Sequence, residues 1–362
     1  MKRLLKDVVI QQRPSLKLSD VAESGKYPVF GAAGLVGYRN TYQTDLPSVA
    51  IIKDGAGIGR VSLLPKNSSV LGTMQMLTPN ADVDNVFLYY YLTHLRLGKS
   101  FTGSTIPHIY FKNYGASSFP KFKHDEQVRI AIDLTNISNA IENKHVQLNM
   151  LDGLVKSRFI EMFGFYLADN KSQVQLKTCT SFIDYRGKTP EKSDKGIRLF
   201  TAKNVRMHHL DFNPAEFIPE ENYSKVMTRG FPKSGDVLFS TEAPLGNVCV
   251  IPEMVERFCV GQRLITIVPS EKLNPRYLEF YMASDYFQDK VWRESSGSTV
   301  KGIKSKLLEK LPISIPTIED QNQFAVFAEL IDKSRFIVQS QIRDLQELLD
   351  SKMDEYFGGD EE

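Results

Sequence analysis

The segment LVKSRFIEMFG at residues 154–164 returns as LLDSKMDEYFG at 348–358, and the match belongs to a longer register. Gly103-Ser104-Thr105 matches Gly297-Ser298-Thr299, Gln127 matches Gln321, Ile137 matches Ile331 and Phe163-Gly164 matches Phe357-Gly358, all at one offset of 194 residues. A repeat of this kind restricts the chain to architectures made of two like halves before any single element is assigned. Upstream, GAGIGRVSLLP (55–65) resembles APLGNVCVIP (243–252), but Gly59 and Gly246 are only 187 residues apart, so insertions separate the halves there.

Each half has a front punctuated by glycine and proline, with β-branched runs such as PSVAII, DVLFS and RLITIVP. These predict a mixed, strand-rich globule. The rear of each half carries helical spacing. Leu134, Ile137, Ile141, Leu148, Leu151, Val155 and Met162 fall three, four or seven residues apart, as do Ile331, Val338, Ile342, Leu345, Leu349 and Tyr356. Such narrow stripes predict a coiled-coil seam, interrupted at Lys144, where the second stripe has Val338. Asp125-Glu126 and Glu319-Asp320 lie near the helix starts, where the dipole favours negative charge, and Gly164 and Gly358 lie where a helix stops most easily.

Helices over 124–163 and 318–357 would each be ~60 Å long at 1.5 Å per residue. If the first carries the chain from head to head, the second brings it back, so paired helices are antiparallel. The expected fold is α+β, with heads at 1–123 and 164–317, the two long helices between them, a pseudo-twofold internal repeat and an acidic tail at 358–362. The competing reading has two unrelated amphipathic helices, each packed on its own head.

Composition sets looser bounds. A 42% hydrophobic chain of 362 residues supports two cores, and 45 basic against 43 acidic residues neither demands nor excludes a polyanionic partner. Cys179, Cys249 and Cys259 have no CxxC spacing, and no run reaches the ~18 apolar residues of a membrane span, so the expectation is a soluble, cytoplasmic protein without membrane partners. GAAGLVG (31–37) and GAGIG (55–59) lack the GK[ST] ending of a phosphate loop. His94, His108, His124, His145, His208 and His209 show no HExxH spacing, and Asp184, Asp236 and Glu242 lack a lysine-bearing partner element for nuclease chemistry. No catalytic or metal-binding residue is assigned.

Two similar but unequal heads on a spacer suit duplex DNA, whose half-sites recur every ~34–36 Å along one face. DYRGKTP (184–190), TAKNVR (201–206) and SSGSTVKGIKSK (295–306) offer the arginine, asparagine, lysine and hydroxyl groups that serve base edges and phosphates. Candidate DNA contacts are Lys53, Gln75, Ser104, Thr105 and His108 in the first head. In the second they are Tyr185, Arg186, Lys188, Lys203, Asn204, Arg206, Arg263, Ser298, Thr299, Lys301 and Lys304. The alternatives are ordinary solvated loops and a coiled-coil scaffold that joins protein partners without reading DNA.

SGSTVKGIKSKLLEKLPISIPTIEDQ (296–321), the YRGKTP and GIRLFTAKNV stretches and YPVFGAAGLVGY (27–38) resemble the specificity subunit of type I restriction-modification systems. The resemblance covers nearly the whole chain. It implies a non-enzymatic subunit whose two target-recognition domains each read part of a bipartite DNA site, while the helices dock modification subunits and set the spacing. S-adenosylmethionine, ATP and Mg would then act in partner subunits, an adenine methyltransferase and a restriction translocase-nuclease. The first head departs from the pattern, with His108 where the second has Gly302 and without the lysine cluster.

Overall fold

The computed structural model describes residues 3–99, 101–103, 107–168, 173–185, 190–253 and 257–358. Residues 1–147 with 338–362 make one unit, and 148–337 make the other. Of the first unit's elements, β1 (Val9–Gln12), β2 (Tyr27–Gly31), β3 (Gly34–Arg39), β4 (Ser48–Ile52), β5 (Val61–Leu64), β6 (Ser69–Val70) and β7 (Met74–Pro79) precede the helices α1 (Asn85–His94) and α2 (Phe111–Tyr114). The long helix α3 (His124–Ala168) begins here.

The strands form an antiparallel sheet, β1-β7-β4-β5, and a smaller one, β3-β2-β6, in which β2 and β6 are parallel. All five residues of β4 are buried because both faces are covered. Val49 and Ile51 face a core with Phe87 and Leu88 of α1, while Ala50 and Ile52 face one with Val70 of β6. This period-two division explains why SVAII is apolar throughout. Helix α1 starts at Asp84, whose carboxylate accepts from the N–H groups of Val86 (3.0 Å) and Phe87 (2.8 Å).

The second unit continues with β8 (Val174–Gln175), β9 (Thr180–Asp184), β10 (Ile197–Phe200), β11 (Val205–Arg206), β12 (His209–Leu210) and β13 (Glu216–Ile218). Then come α4 (Tyr223–Val226), β14 (Val237–Ser240), β15 (Val248–Val250), β16 (Phe258–Val260) and β17 (Leu264–Pro269). The helices α5 (Pro275–Ala283), α6 (Asp285–Arg293) and α7 (Ser305–Leu308), the strand β18 (Pro312–Ile313) and the second long helix α8 (Ile318–Phe357) complete it. Its sheets, β9-β17-β14-β15 and β13-β10-β16 with β10 parallel to β16, repeat the first unit's strand orders. Val237 and Phe239 share a core with Tyr277 and Leu278 of α5, and Leu238 shares one with Phe200 and Val260. Cys179, Cys249 and Cys259 are buried thiols, and burial pushes Cys179 up to about 11 and Cys259 up to about 12.

In each unit the long helices pack antiparallel. In the second, Phe324 of α8 lies 5.3 Å from Phe159 and 5.7 Å from Phe163, while Arg335 further along α8 pairs with the earlier Asp152 of α3 at 3.2 Å. In the first, Met353 and Phe357 at the end of α8 share a core with Ile130 and Leu134 at the start of α3. The end of α8 therefore closes the first head's core, with Phe357 5.3 Å from Phe87 of α1. Independent packing of each helix on the head that precedes it does not describe this chain.

Two expectations need correction. Helix α3 does not stop at Gly164 but runs to Ala168. Buried Leu167 lies in the second core, and ~2 kcal/mol from its burial outweighs the ~1 kcal/mol penalty of an interior glycine. The stripe also leaves the heptad after Val155. Phe159 and Phe163 are buried and Met162 only partly, because a four-residue step keeps the aromatic rings in the globular core. At the other end, Gly358 follows α8 and its N–H donates to Asp354 O at 2.8 Å.

Candidate nucleic-acid interface

The end of each sheet's central strand is held by the same backbone frame. In the first unit Lys53 N–H donates to Thr73 O (3.1 Å), Ile109 N–H to Lys53 O (3.0 Å) and Gly59 N–H to Ile52 O (2.8 Å). In the second, Thr241 N–H donates to Arg263 O (2.9 Å), Ile303 N–H to Thr241 O (3.0 Å) and Gly246 N–H to Ser240 O (2.9 Å). Gly59 (φ +81°) and Gly246 (φ +94°) are thus equivalent, and each needs glycine for its backbone conformation. At Gly59 a Cβ would also come 2.2 Å from the backbone N of Gly98, whereas at Gly246 it would meet only the movable end of the Gln288 side chain. A loop beside each strand end is closed by mutual hydrogen bonds, Thr102 with His108 and Ser296 with Gly302, and turns through Gly103 or Gly297 at positive φ.

On this common frame the side chains differ. In the first unit Asp54 Oδ1 meets His108 Nδ1 at 2.7 Å, and Lys53 Nζ stands 4.0 Å from the same carboxylate. The His108 ring stacks near Tyr110 at 6.4 Å, and Lys112 Nζ lies 5.6 Å from the exposed Tyr110 ring. Cation, imidazole and aromatic face together make a surface that can meet phosphate and base. Ser104 and Thr105 lie outside the described residues.

In the second unit Glu242 takes the place of Asp54, and its partner comes from another element. Arg263 Nε lies 3.0 Å from Glu242 Oε1, with the arginine side chain 52% exposed. Nearby, Glu216 at the start of β13 holds Lys192 at 2.8 Å and Lys203 at 3.4 Å. The hydrogen bond from Lys192, followed by its charge and by Lys203, holds the Glu216 carboxyl below the usual carboxylate range against the opposing effect of burial. Lys192, Lys203, Thr201, Gln262 and Arg263 line one cleft of about 220 Å³ with Glu216.

Three sequence candidates are placed elsewhere. Asn204 is fully buried: its Oδ1 accepts from Thr201 N–H (2.9 Å), and its Nδ2 donates to Asp211 O (3.0 Å) and Pro214 O (3.1 Å). It organises a loop and has no polar group left for a base. Gln75 is 5% exposed and bonded to the Gln11 side chain and to the carbonyls of Gln12 and Met76. The buried Tyr185 donates its hydroxyl to Gly230 O. Arg186 and Lys188 lie outside the described residues. Arg206 is exposed with Nε 3.8 Å from Asp211, and Ser298, Thr299, Lys301 and Lys304 are exposed on and after the 296–302 loop.

Sequence reasoning missed Lys192 and Gln262 in the cleft. PEKSDKG reads as a solvated charge run, and nothing in it points to a carboxylate 24 residues downstream. The partners of α5 were missed too. Arg276 pairs with the fully buried Glu279 (2.7 Å) and with Asp332 of α8, and His208 Nδ1 lies 3.3 Å from Glu279. In the first unit the corresponding bonds are neutral, from the Tyr90 hydroxyl to Ser138 (3.0 Å) and Thr135 (3.3 Å).

The long helices expose apolar side chains as well. In the second unit Phe165 is 78%, Met150 68% and Phe336 67% exposed, with Ile160, Leu330 and Ile337 also outward. No helix among the described residues is long and apolar enough to cross a membrane.

The family model of the type I restriction modification DNA specificity domain matches residues 1–151 and 211–345. The type I restriction enzyme MjaVIII specificity subunit of Methanocaldococcus jannaschii is 22% identical over 309 residues, which are 78% of this chain and 72% of that protein. The putative type I restriction enzyme MjaX specificity subunit of the same organism is 24% identical over 285 residues, 71% of this chain and 64% of the relative. Among solved structures, the S subunit of the type I restriction-modification system from M. genitalium superposes with a TM-score of 0.61 at 17% identity, covering 99% of this chain and 96% of that one. A chain from a structure of type I restriction-modification complex assembly and conformational transition gives 0.60 at 15%, covering 99% and 98%. At these identities the structural likeness is one of fold.

Proposed function

The chain belongs to the type I restriction-modification DNA specificity family, and we propose that each of its two heads reads one part of a bipartite, asymmetric DNA site. One observation carries this reading: the same hydrogen-bonded strand-end frame presents Lys53, Asp54 and His108 in one head and Thr241, Glu242 and Arg263 in the other. A constant backbone frame fixes docking, and exchanged side chains change the letters read. The two long helices set the interval between half-sites, and their exposed apolar side chains dock methyltransferase subunits.

The chain supplies no catalytic group. Adenine methylation with S-adenosylmethionine belongs to the methyltransferase partners, and ATP- and Mg-dependent translocation and cleavage belong to a restriction subunit. Sequencing N6-methyladenine across the genome of a host carrying the complete system tests the reading. The expected motif has two short, unlike parts separated by a gap of fixed length, and a single uninterrupted motif contradicts it.

A further inference from the structure

Across one conserved backbone hydrogen bond, the two heads exchange cation and hydroxyl. The first head has Lys53 on the central strand's end and Thr73 opposite; the second has Thr241 on the strand end and Arg263 opposite. Lys53 is a point charge beside Asp54. Arg263 is different: Glu242 engages its Nε at 3.0 Å, which orients the guanidinium plane and leaves the two Nη groups as a fork. The side chain is about half exposed and rims the cleft that also holds Lys192, Lys203 and Gln262.

A fork held from behind by a carboxylate suits one base feature, the paired O6 and N7 acceptors of guanine in the major groove. Adenine presents a donor in place of O6, and thymine and cytosine offer no such pair. The neighbouring Lys192 and Lys203 line the same cleft, both held by Glu216. We infer that Arg263, positioned by Glu242, is a specificity-determining residue of the second head and reads the guanine of one G·C pair. Thr73 at the equivalent place in the first head cannot make that bidentate contact.

This inference rests on the recognition reading above, and methylome sequencing of the intact complex separates the two. In the wild-type system one half-site contains a guanine whose replacement abolishes methylation. Arg263→Ala should make that position degenerate, a loss of about ten- to a hundredfold in discrimination for a bidentate contact, while the other half-site and the gap stay unchanged. Arg263→Lys keeps the charge but not the fork and should relax the same position. Glu242→Gln frees the guanidinium and should relax it partly. Retained methylation at the unaltered half-site's letters shows that the variants still fold and assemble.

If both Arg263 variants keep every letter of the wild-type motif, or if Arg263→Lys restores what Arg263→Ala loses, Arg263 is a phosphate contact and the assignment is overturned. Degeneracy at an A·T position overturns it as well. A wild-type methylome without a two-part motif overturns the recognition reading and this assignment with it.

Discussion

Gln321 does in the second unit what Gln127 does in the first. Gln127 Oε1 accepts from Asp84 N–H at 3.0 Å, and its Nε2 donates to the carbonyls of Asp82 (3.2 Å) and Phe122 (3.0 Å). Gln321 Oε1 accepts from Asn274 N–H at 2.8 Å, and its Nε2 donates to Lys272 O (3.2 Å) and Pro316 O (2.9 Å). Both side chains are fully buried. Each ties the start of a long helix to the capping residue of the short helix packed beside it, so a single amide fixes where each long helix leaves its head.

Removing either amide strands one backbone donor and two acceptors in a buried place. Gln127→Ala and Gln321→Ala should each cost about 2–4 kcal/mol in denaturant unfolding. Gln321→Glu keeps the shape but loses the donor to two carbonyls, so it should also destabilise. A loss under about 0.5 kcal/mol, the range of ordinary surface changes, would contradict the role.

The charge cluster at α5 gives an asymmetric prediction. Arg276→Ala leaves the fully buried Glu279 without its 2.7 Å partner and should cost about 3–5 kcal/mol. The double variant Arg276→Met/Glu279→Leu removes both charges and should recover most of that loss. Equal destabilisation by the single and double variants in thermal unfolding would show that packing, not the stranded charge, dominates.

His94 predicts a pH effect. Burial holds its imidazole below the ordinary value of 6.5, only partly opposed by Asp354 at 3.5 Å. The unfolded chain therefore takes up this proton first, and stability is lost as pH falls below 6.5 towards the folded value. His94→Gln removes the titration, so the decline in melting temperature on acidification should become shallower. An unchanged slope would contradict the assignment.

The repeat was legible in the sequence wherever both units need the same residue for the same physical reason. Gln127 and Gln321 satisfy matching backbone groups, Gly103 and Gly297 turn matching loops, and Gly59 and Gly246 share a left-handed φ. The glycine and glutamine pairs of the rear keep one offset of 194 residues, whereas Gly59 and Gly246 stand 187 apart and are matched by their local motif alone. Burial of polar side chains was not legible. Asn204 sits among lysine, arginine and threonine in TAKNVR, and only the folded loop shows its amide turned inward. The end of α3 was misread for a related reason: a glycine usually ends a helix, and only the core that receives Phe163 and Leu167 carries this one past Gly164.

Glu216 restrains the cations of the second head's cleft. Glu216→Gln should release Lys192 and Lys203 and tighten binding of the intact complex to random duplex. With up to two added phosphate contacts, the slope of log affinity against log salt should steepen by about 1–2. An unchanged slope would mean that these lysines do not reach phosphates.

The division of labour between heads that read and helices that measure is tested most directly by lengthening the helices. Inserting a matched turn of four residues after Lys144 in α3 and after Val338 in α8 adds about 6 Å, close to two base-pair steps of about 3.4 Å. Methylome sequencing of the complete system should return the same letters in both half-sites with a gap about two base pairs longer. Altered letters, or an unaltered gap in an active complex, would contradict the account.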